Sequence, residues 1–340
     1  MTAQTLETTA RALVAPGKGI LAADESHPTI AKRFASIGIE NTEEARRSYR
    51  DMLFSTAGAE EFISGVILFE ETLGQASSDG AAFPKLLASR GIIPGIKVDS
   101  GAKPLALHPT ETITEGLDGL RGRLEKYREQ GARFAKWRAV ITIGADIPSE
   151  ACINANANAL ARYAALCQEA NLVPIVEPEV LMDGDHTIDR CEAVTTWTLR
   201  EVFDALHRQD VALEGMLLKP NMVISGTKCP QQAGIQEVAE RTVRCLLRTV
   251  PAAVPGIVFL SGGQDDVTAT AHLDAMNRLD RELPWALSFS YGRALQAPAL
   301  KAWAGKADNL AAGQRAFYTR AKANSAASIG RWDEGLEKTA

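Results

Sequence analysis

Lys219 ends the apolar run Gly215, Met216, Leu217, Leu218 and is followed by Pro220. An ammonium group is costly in apolar surroundings unless it is paired or gives up its proton. A lysine in that place either escapes to solvent or is available as a free amine. A free amine attacks a ketone and forms a Schiff base, whose protonated form withdraws electrons so that a bond β to the original carbonyl can break. That chemistry needs carboxylates close by. One shuttles protons during carbinolamine formation and dehydration, and one takes the proton from the hydroxyl of the departing carbon.

The other apolar runs also end in polar residues. GILAADE (19–25) carries Asp24, and IIPGIKV (92–98) carries Lys97 with Asp99 two residues on. FAKWRAV (134–140) carries Lys136 and Arg138, and VPIVEPE (173–179) carries Glu177 and Glu179. EGMLLKP (214–220) carries Lys219, with Asn221 beyond Pro220. Residues two apart on a strand share a face, so each of these pairs points one way. A single such pair is an ordinary solvated strand end. Five strands with charges at the same end point to one shared mouth. There Lys97, Lys136, Arg138, Lys219 and Arg293 outnumber Asp24, Asp99, Glu177 and Glu179, which argues for an anionic ligand. Crowding among cations in a poorly hydrated site is expected to favour the free amine of Lys219. Ser261, Gly262 and Gly263 end the run GIVFLSGG (256–263), and Ser290, Tyr291, Gly292 and Arg293 close WALSFSYG (285–292). Glycines let backbone N–H groups approach phosphate oxygens, and an arginine adds a bidentate partner.

Eight β-type runs, the seven above and GVILFEE (65–71), must position these residues. Between them lie segments of helical period or composition at 42–55, 115–130, 150–170, 186–208, 234–250, 264–281 and 294–325. Continuous apolar strands alternating with helices imply a parallel sheet buried on both faces. Eight such units predict an α/β fold, a closed (β/α)8 TIM barrel with its active site at the C-terminal ends of the strands. No GxGxxG follows the first run, which argues against a dinucleotide-binding sheet. Leu6, Ala10, Leu13 and Val14 fall at helical spacing and predict an N-terminal helix. An excursion at about 26–60 and a helical C-terminal extension account for the length beyond a barrel core of about 250 residues. Residues 1–340 read as a single domain, with barrel strands over about 19–292 and the extension and a short tail over about 293–340.

The composition excludes several classes. The 340 residues are 46% hydrophobic and 23% charged, with a net charge of -5, as in globular proteins. No basic block argues for nucleic acid. No stretch reaches the roughly 18 apolar residues of a membrane span, and the N-terminal stretch does not read as a signal peptide. The five cysteines form no CxxC and point to a reducing cytoplasm. The histidines His27, His108, His186, His207 and His272 show no HxxxH or HxH spacing, so neither a metal nor another cofactor is expected. The fragment DGDH (183–186) could be a ligand cluster. The preferred reading is a turn through Gly184 with Asp185 capping a helix that begins near 186.

The assembled stretches resemble class I fructose-bisphosphate aldolases across nearly the whole chain. GILAADES (19–26), SIGIENTEEARRSYR (36–50), GIKVDSG (95–101), FAKWRAV (134–140), IVEPEVLMDGDH (175–186), LLKPNMV (217–223), FLSGGQ (259–264), FSYGRALQ (289–296) and AKANSAASIG (321–330) carry the resemblance in order. It implies a metal-independent lyase of glycolysis and gluconeogenesis, cytoplasmic and commonly homotetrameric. Such an enzyme cleaves fructose 1,6-bisphosphate to dihydroxyacetone phosphate and glyceraldehyde 3-phosphate. Position by position, it implies that Lys219 is the Schiff-base lysine and Glu177 the acid/base carboxylate for dehydration. Lys136 is the lysine beside it, and Asp24 the carboxylate at the substrate C4 hydroxyl. Glu179 and Arg138 are supporting residues. Ser261, Gly262, Gly292 and Arg293 form one phosphate site, and Ser26, Thr29 and Lys97 the other. His27, Pro28 and Thr29 replace the TGS common in animal members, and Thr29 keeps a hydroxyl. Animal members also end in a tail closed by a tyrosine that moves the C3 proton. The last tyrosine here is Tyr318, so the resemblance assigns no C3 proton carrier. Two other readings are a Schiff-base aldolase for another sugar phosphate, such as fructose 1-phosphate or sedoheptulose 1,7-bisphosphate, and an inactive barrel used as a binding scaffold. The intact set Asp24, Lys136, Glu177 and Lys219 argues against the scaffold.

Overall fold

The computed structural model describes residues 3–337. Ends 1–2 and 338–340 of the domain expected over 1–340 lie outside the described residues. The strands are β1 (Gly19–Ala23), β2 (Ile63–Leu68), β3 (Ile93–Lys97), β4 (Ala102–Pro104), β5 (Thr112–Thr114), β6 (Phe134–Ile141), β7 (Val173–Val180), β8 (Leu217–Leu218), β9 (Gly256–Phe259) and β10 (Ala286–Tyr291). Eight of them close a parallel barrel in the order β1-β10-β9-β8-β7-β6-β3-β2, and β4 and β5 form a separate antiparallel pair. Each of the eight apolar runs contributes one barrel strand.

Alternation along the strands sorts the side chains into two sets. Ile20, Ala22, Ile67, Phe134, Val173, Ile175, Leu217 and Val258 face inward and pack together. Leu21, Val66, Ile96, Ala135, Trp137, Val176 and Leu218 face outward and join the core under the helices. The N-terminal helix Ala3–Leu13 forms as its spacing predicts, and Leu6, Ala10, Leu13 and Val14 pack into the inner set. They plug the N-terminal end of the barrel, so only the opposite end is open. Close packing inside needs glycine. A Cβ on Gly95 would lie 2.3 Å from the ring of Phe134.

The excursion folds as helices His27–Ala35 and Glu43–Phe54, the second capped by Thr42, whose hydroxyl accepts from Ala45 N at 3.1 Å. Three expectations are corrected. The helix expected over 115–130 runs only over Leu120–Glu129, because Gly116 and Gly119 take positive φ and end the β5 hairpin first. The segment 294–325 is two helices, Arg293–Trp303 and Leu310–Ala327, broken where Ala304 and Gly305 turn left-handed. The helix after DGDH is Ile188–Arg208 and Thr187 caps it, not Asp185. The carbonyls of Met182 and Gly184 are bonded to the N–H groups of Thr227 and Lys228, which holds 182–184 outside the helix. No helix among the described residues is long and apolar enough to cross a membrane. The five cysteines are free and buried.

Gly95→Ala pushes a methyl group into Phe134, and overpacking of this kind costs about 1–3 kcal/mol. Urea unfolding should show that loss. An unchanged midpoint would contradict the packing described.

Candidate active site

The inward face of each strand changes character at its C-terminal end. Phe134 is followed on the same face by Lys136 and Arg138, Ile175 by Glu177 and Glu179, Leu217 by Lys219, and Ala22 by Asp24. The rule that buries the lower half of the barrel interior therefore collects charges in the upper half. Pro220 has no N–H to donate, and β8 is correspondingly short. It is held by Lys219 N donating to Val176 O at 2.8 Å and by Leu260 N donating to Pro220 O at 3.1 Å.

Lys136 Nζ lies 2.7 Å from Asp24 Oδ2, 3.6 Å from Glu177 Oε2 and 3.9 Å from Asp99 Oδ2. Lys219 Nζ lies 3.2 Å from Glu177 Oε1. Glu177 thus sits between two ammonium groups, and both lysines are 4% exposed. Its Oε2 has no hydrogen-bond partner, which leaves an acceptor at the centre of the group. Burial alone would raise the pKa of Asp24, but Lys136, Lys219 and Lys97 outweigh it and hold the carboxyl below the usual range. Burial would likewise lower the pKa of Lys136, and Asp24, Glu177 and Asp99 reverse that, so Lys136 stays charged. Arg138 is half-exposed beside Glu179; desolvation would lower its pKa, and that carboxylate outweighs it and holds the guanidinium above its ordinary value.

These residues line one cavity of about 690 Å³ at the open end of the barrel. It also brings together Ser261, Gly262, Gly292 and Arg293 on one side, and Ser26, Thr29 and Lys97 on another. Arg293 Nη2 donates to Gly262 O at 2.8 Å and to Gln264 O at 3.2 Å. The hydroxyls of Ser26 and Thr29 are 3.1 Å apart across the start of their helix. Lys97 pairs with Asp99 at 2.7 Å.

Two details of the expected mouth change. Asn221 does not share the cavity with Lys219. Its side chain accepts from Val180 N at 3.0 Å and donates to Thr195 Oγ1 at 3.1 Å, so it ties β7 to the outer helix. The crowding of cations around Lys219 is also not what the site shows. Lys97 and Lys136 each have a carboxylate at 2.7 Å, and the nearest charge to Lys219 is Glu177. His186 of DGDH is buried with neither ring nitrogen bonded, and no group of three or more His, Cys, Asp or Glu among the described residues is placed to hold a metal.

Sequence reasoning missed a second polar cluster. Glu25, adjacent to Asp24, is buried against Arg33 and Arg50 and accepts from Gln296 Nε2 at 2.8 Å. Arg33 reaches the cavity and lies beside Gly292. Gln296 also donates to Ala22 O at 2.7 Å, so the backbone that presents Asp24 is tied to the helix after β10. The available signal was Glu25 itself, a second carboxylate at a strand end with no role. Ser290 also lines the cavity, and its buried hydroxyl has no partner.

The family model for class-I fructose-bisphosphate aldolases matches residues 5–340. A probable fructose-bisphosphate aldolase class 1 from Xanthomonas campestris is 61% identical over 333 residues, which is 98% of this chain and 99% of that one. The chain belongs to the class-I fructose-bisphosphate aldolase family. A cytosolic family member from Arabidopsis thaliana, fructose-bisphosphate aldolase 5, is 56% identical over 98% of this chain and 93% of its own. The solved fructose-bisphosphate aldolase of Plasmodium falciparum superposes with a TM-score of 0.96 at 52% identity, covering 98% of this chain and 96% of that one.

Removing the central cation tests the electrostatic account. In the intact family member the Asp24 carboxyl lies below its unfolded value of about 3.9, so its contribution is complete above that value and is lost as pH falls towards the folded one. In Lys136→Met the principal partner is gone and burial opposes ionisation, so the carboxylate costs stability as pH rises. Urea unfolding should show a deficit of about 3–5 kcal/mol near pH 7 that shrinks towards about pH 4. A deficit independent of pH would contradict the pairing.

Proposed function

We propose that this fructose-bisphosphate aldolase cleaves fructose 1,6-bisphosphate through a Schiff base on Lys219, with Glu177 as its acid/base group. The observation that carries the proposal is the placing of Glu177 between Lys219 and Lys136 in a buried mouth. The family membership supplies the reaction class, a lyase acting on a sugar phosphate.

The chemistry follows from the contacts. Glu177, 3.2 Å from the Lys219 nitrogen, relays two protons from that nitrogen to the C2 oxygen of the ketose, the first as nitrogen attacks C2 and the carbinolamine hydroxyl forms, the second as that hydroxyl leaves as water and the iminium forms. Lys136 keeps its charge throughout and compensates the negative charge on Glu177 and Asp24. The iminium draws the electrons of the C3–C4 bond towards nitrogen. The C4 hydroxyl gives its proton to Asp24, and glyceraldehyde 3-phosphate leaves. Asp24 is a weak base, but its proton comes from a hydroxyl that is turning into a carbonyl, and the neighbouring ammonium groups keep Asp24 ionised and ready. The enamine left on Lys219 takes a proton at C3, and hydrolysis releases dihydroxyacetone phosphate. Glu179 orients Arg138 at the rim.

Ser261, Gly262, Gly292 and Arg293 hold one phosphate in this reading, with Arg33 and the free hydroxyl of Ser290 beside them. Ser26, Thr29 and Lys97, on the side of Asp24 and C4, hold the C6 phosphate in this reading, and the first set holds the C1 phosphate. A homotetramer and a cytoplasmic location belong to the same reading. The family resemblance supports the first. The name of the Arabidopsis relative and the free buried cysteines support the second.

Cleavage kinetics test the assignment. Lys219→Arg keeps the charge but cannot supply a free amine, so kcat should fall about a thousandfold or more. Glu177→Gln should lose about 10²–10⁴ in kcat. Fructose 1-phosphate, which leaves Ser26, Thr29 and Lys97 without a partner, should lose at least about tenfold in kcat/KM. Substantial cleavage by Lys219→Arg, or loss of activity on adding a chelator, would overturn the mechanism.

A further inference from the structure

We propose that His272 is a positioning residue for the phosphate loop 261–264, acting through the side chain of Gln264. The proposal rests on the reading of Ser261, Gly262 and Arg293 as a phosphate site.

His272 lies on the helix Asp266–Asn277, outside the cavity, and is 5% exposed. Its Nδ1 is 2.6 Å from Gln264 Oε1. Burial pushes the imidazole pKa down to about 4, so the ring is neutral at pH 7 and carries one N–H. The amide of Gln264 fixes where that hydrogen sits. Gln264 Nε2 faces Ser261 O at 3.2 Å and the Met222 sulfur at 3.6 Å, both acceptors, so it must be the donor end. Oε1 is then an acceptor, and the hydrogen is on Nδ1.

The consequence lies in the loop. Gly262 adopts φ +56° and is followed by a second glycine, so the loop's backbone is intrinsically free. Apart from Gly263 N, which donates to the Met182 sulfur at 2.7 Å, the loop's restraints meet at Gln264. The side chain holds Ser261 from below, and the backbone oxygen accepts from Arg293 Nη2 at 3.2 Å. Without a donor at position 272, Oε1 is left buried and unpaired, and the amide turns to find another partner. Ser261 O then keeps only the backbone N–H of Gln264, at 3.2 Å, and the loop that Arg293 leans on loses its side-chain restraint, so part of its ordering falls to the incoming phosphate. Binding of the phosphate-bearing half of the substrate weakens, while the amine chemistry at Lys219 is untouched.

Borohydride trapping separates the two. Dihydroxyacetone phosphate and dihydroxyacetone offer the same ketone to Lys219, and only the first carries a phosphate. His272→Leu should raise the half-saturating concentration of dihydroxyacetone phosphate about five- to fiftyfold, and leave that of dihydroxyacetone within about twofold. His272→Asn keeps an N–H donor and should recover most of the loss. Gln264→Met removes the intermediary, should show the same phosphate-specific loss, and should make a further His272→Leu change without effect. An unchanged dihydroxyacetone phosphate curve in both single variants, or equal shifts for both ketones, overturns the proposal. Failure of the unmodified enzyme to trap either ketone instead sinks the Schiff-base reading beneath it.

Discussion

The ammonium group of Lys136 is the interaction on which the site depends. Asp24 and Glu177 are carried on strands that are not neighbours in the barrel, and Lys136 lies within 2.7 Å of the first and 3.6 Å of the second; buried Asp24 is held ionised chiefly by that cation. A buried charge without a partner costs several kcal/mol, so this cluster is stable only as a set. Its members come from β6, β7 and the ends of β1 and β3. Barrel closure and charge neutralisation therefore require each other at the mouth. The plug formed by Ala3–Leu13 completes the arrangement by leaving the charged end as the open one.

Within that set, Glu177 is the group through which the proposed reaction depends on the structure. It faces Lys136, which stays charged, and Lys219, the amine proposed as the nucleophile, at 3.6 and 3.2 Å. Lys219 is buried and shares that one carboxylate, while Lys97 and Lys136 are each paired with carboxylates of their own. The proposed phosphate sites follow the same principle outward. Arg293 is held by loop carbonyls and Arg33 by Glu25, so both guanidinium groups are oriented before an anion arrives.

The sequence made the barrel legible because its strands are continuous apolar runs of regular spacing, and all eight lie where those runs lie. The thirteen expected site residues share one cavity because strand alternation is a rigid rule, and because the stretches 19–26 and 289–296 are long and specific. What stayed illegible depends on contacts between distant segments. Gln296 bonds Tyr49, Glu25 and Ala22, and no local pattern announces a residue that joins the excursion to β1. Asn221 was misplaced because alternation fails once Pro220 ends the strand. Thr187 caps its helix instead of Asp185 because pairing with 226–228 is a tertiary event.

The most direct test of the account is to locate the covalent intermediate. Treatment with dihydroxyacetone phosphate and borohydride, followed by peptide mass analysis, should give one adduct, on Lys219, that forms only when the ketone is present. An adduct on Lys136 or Lys97, or none at all, would contradict the account.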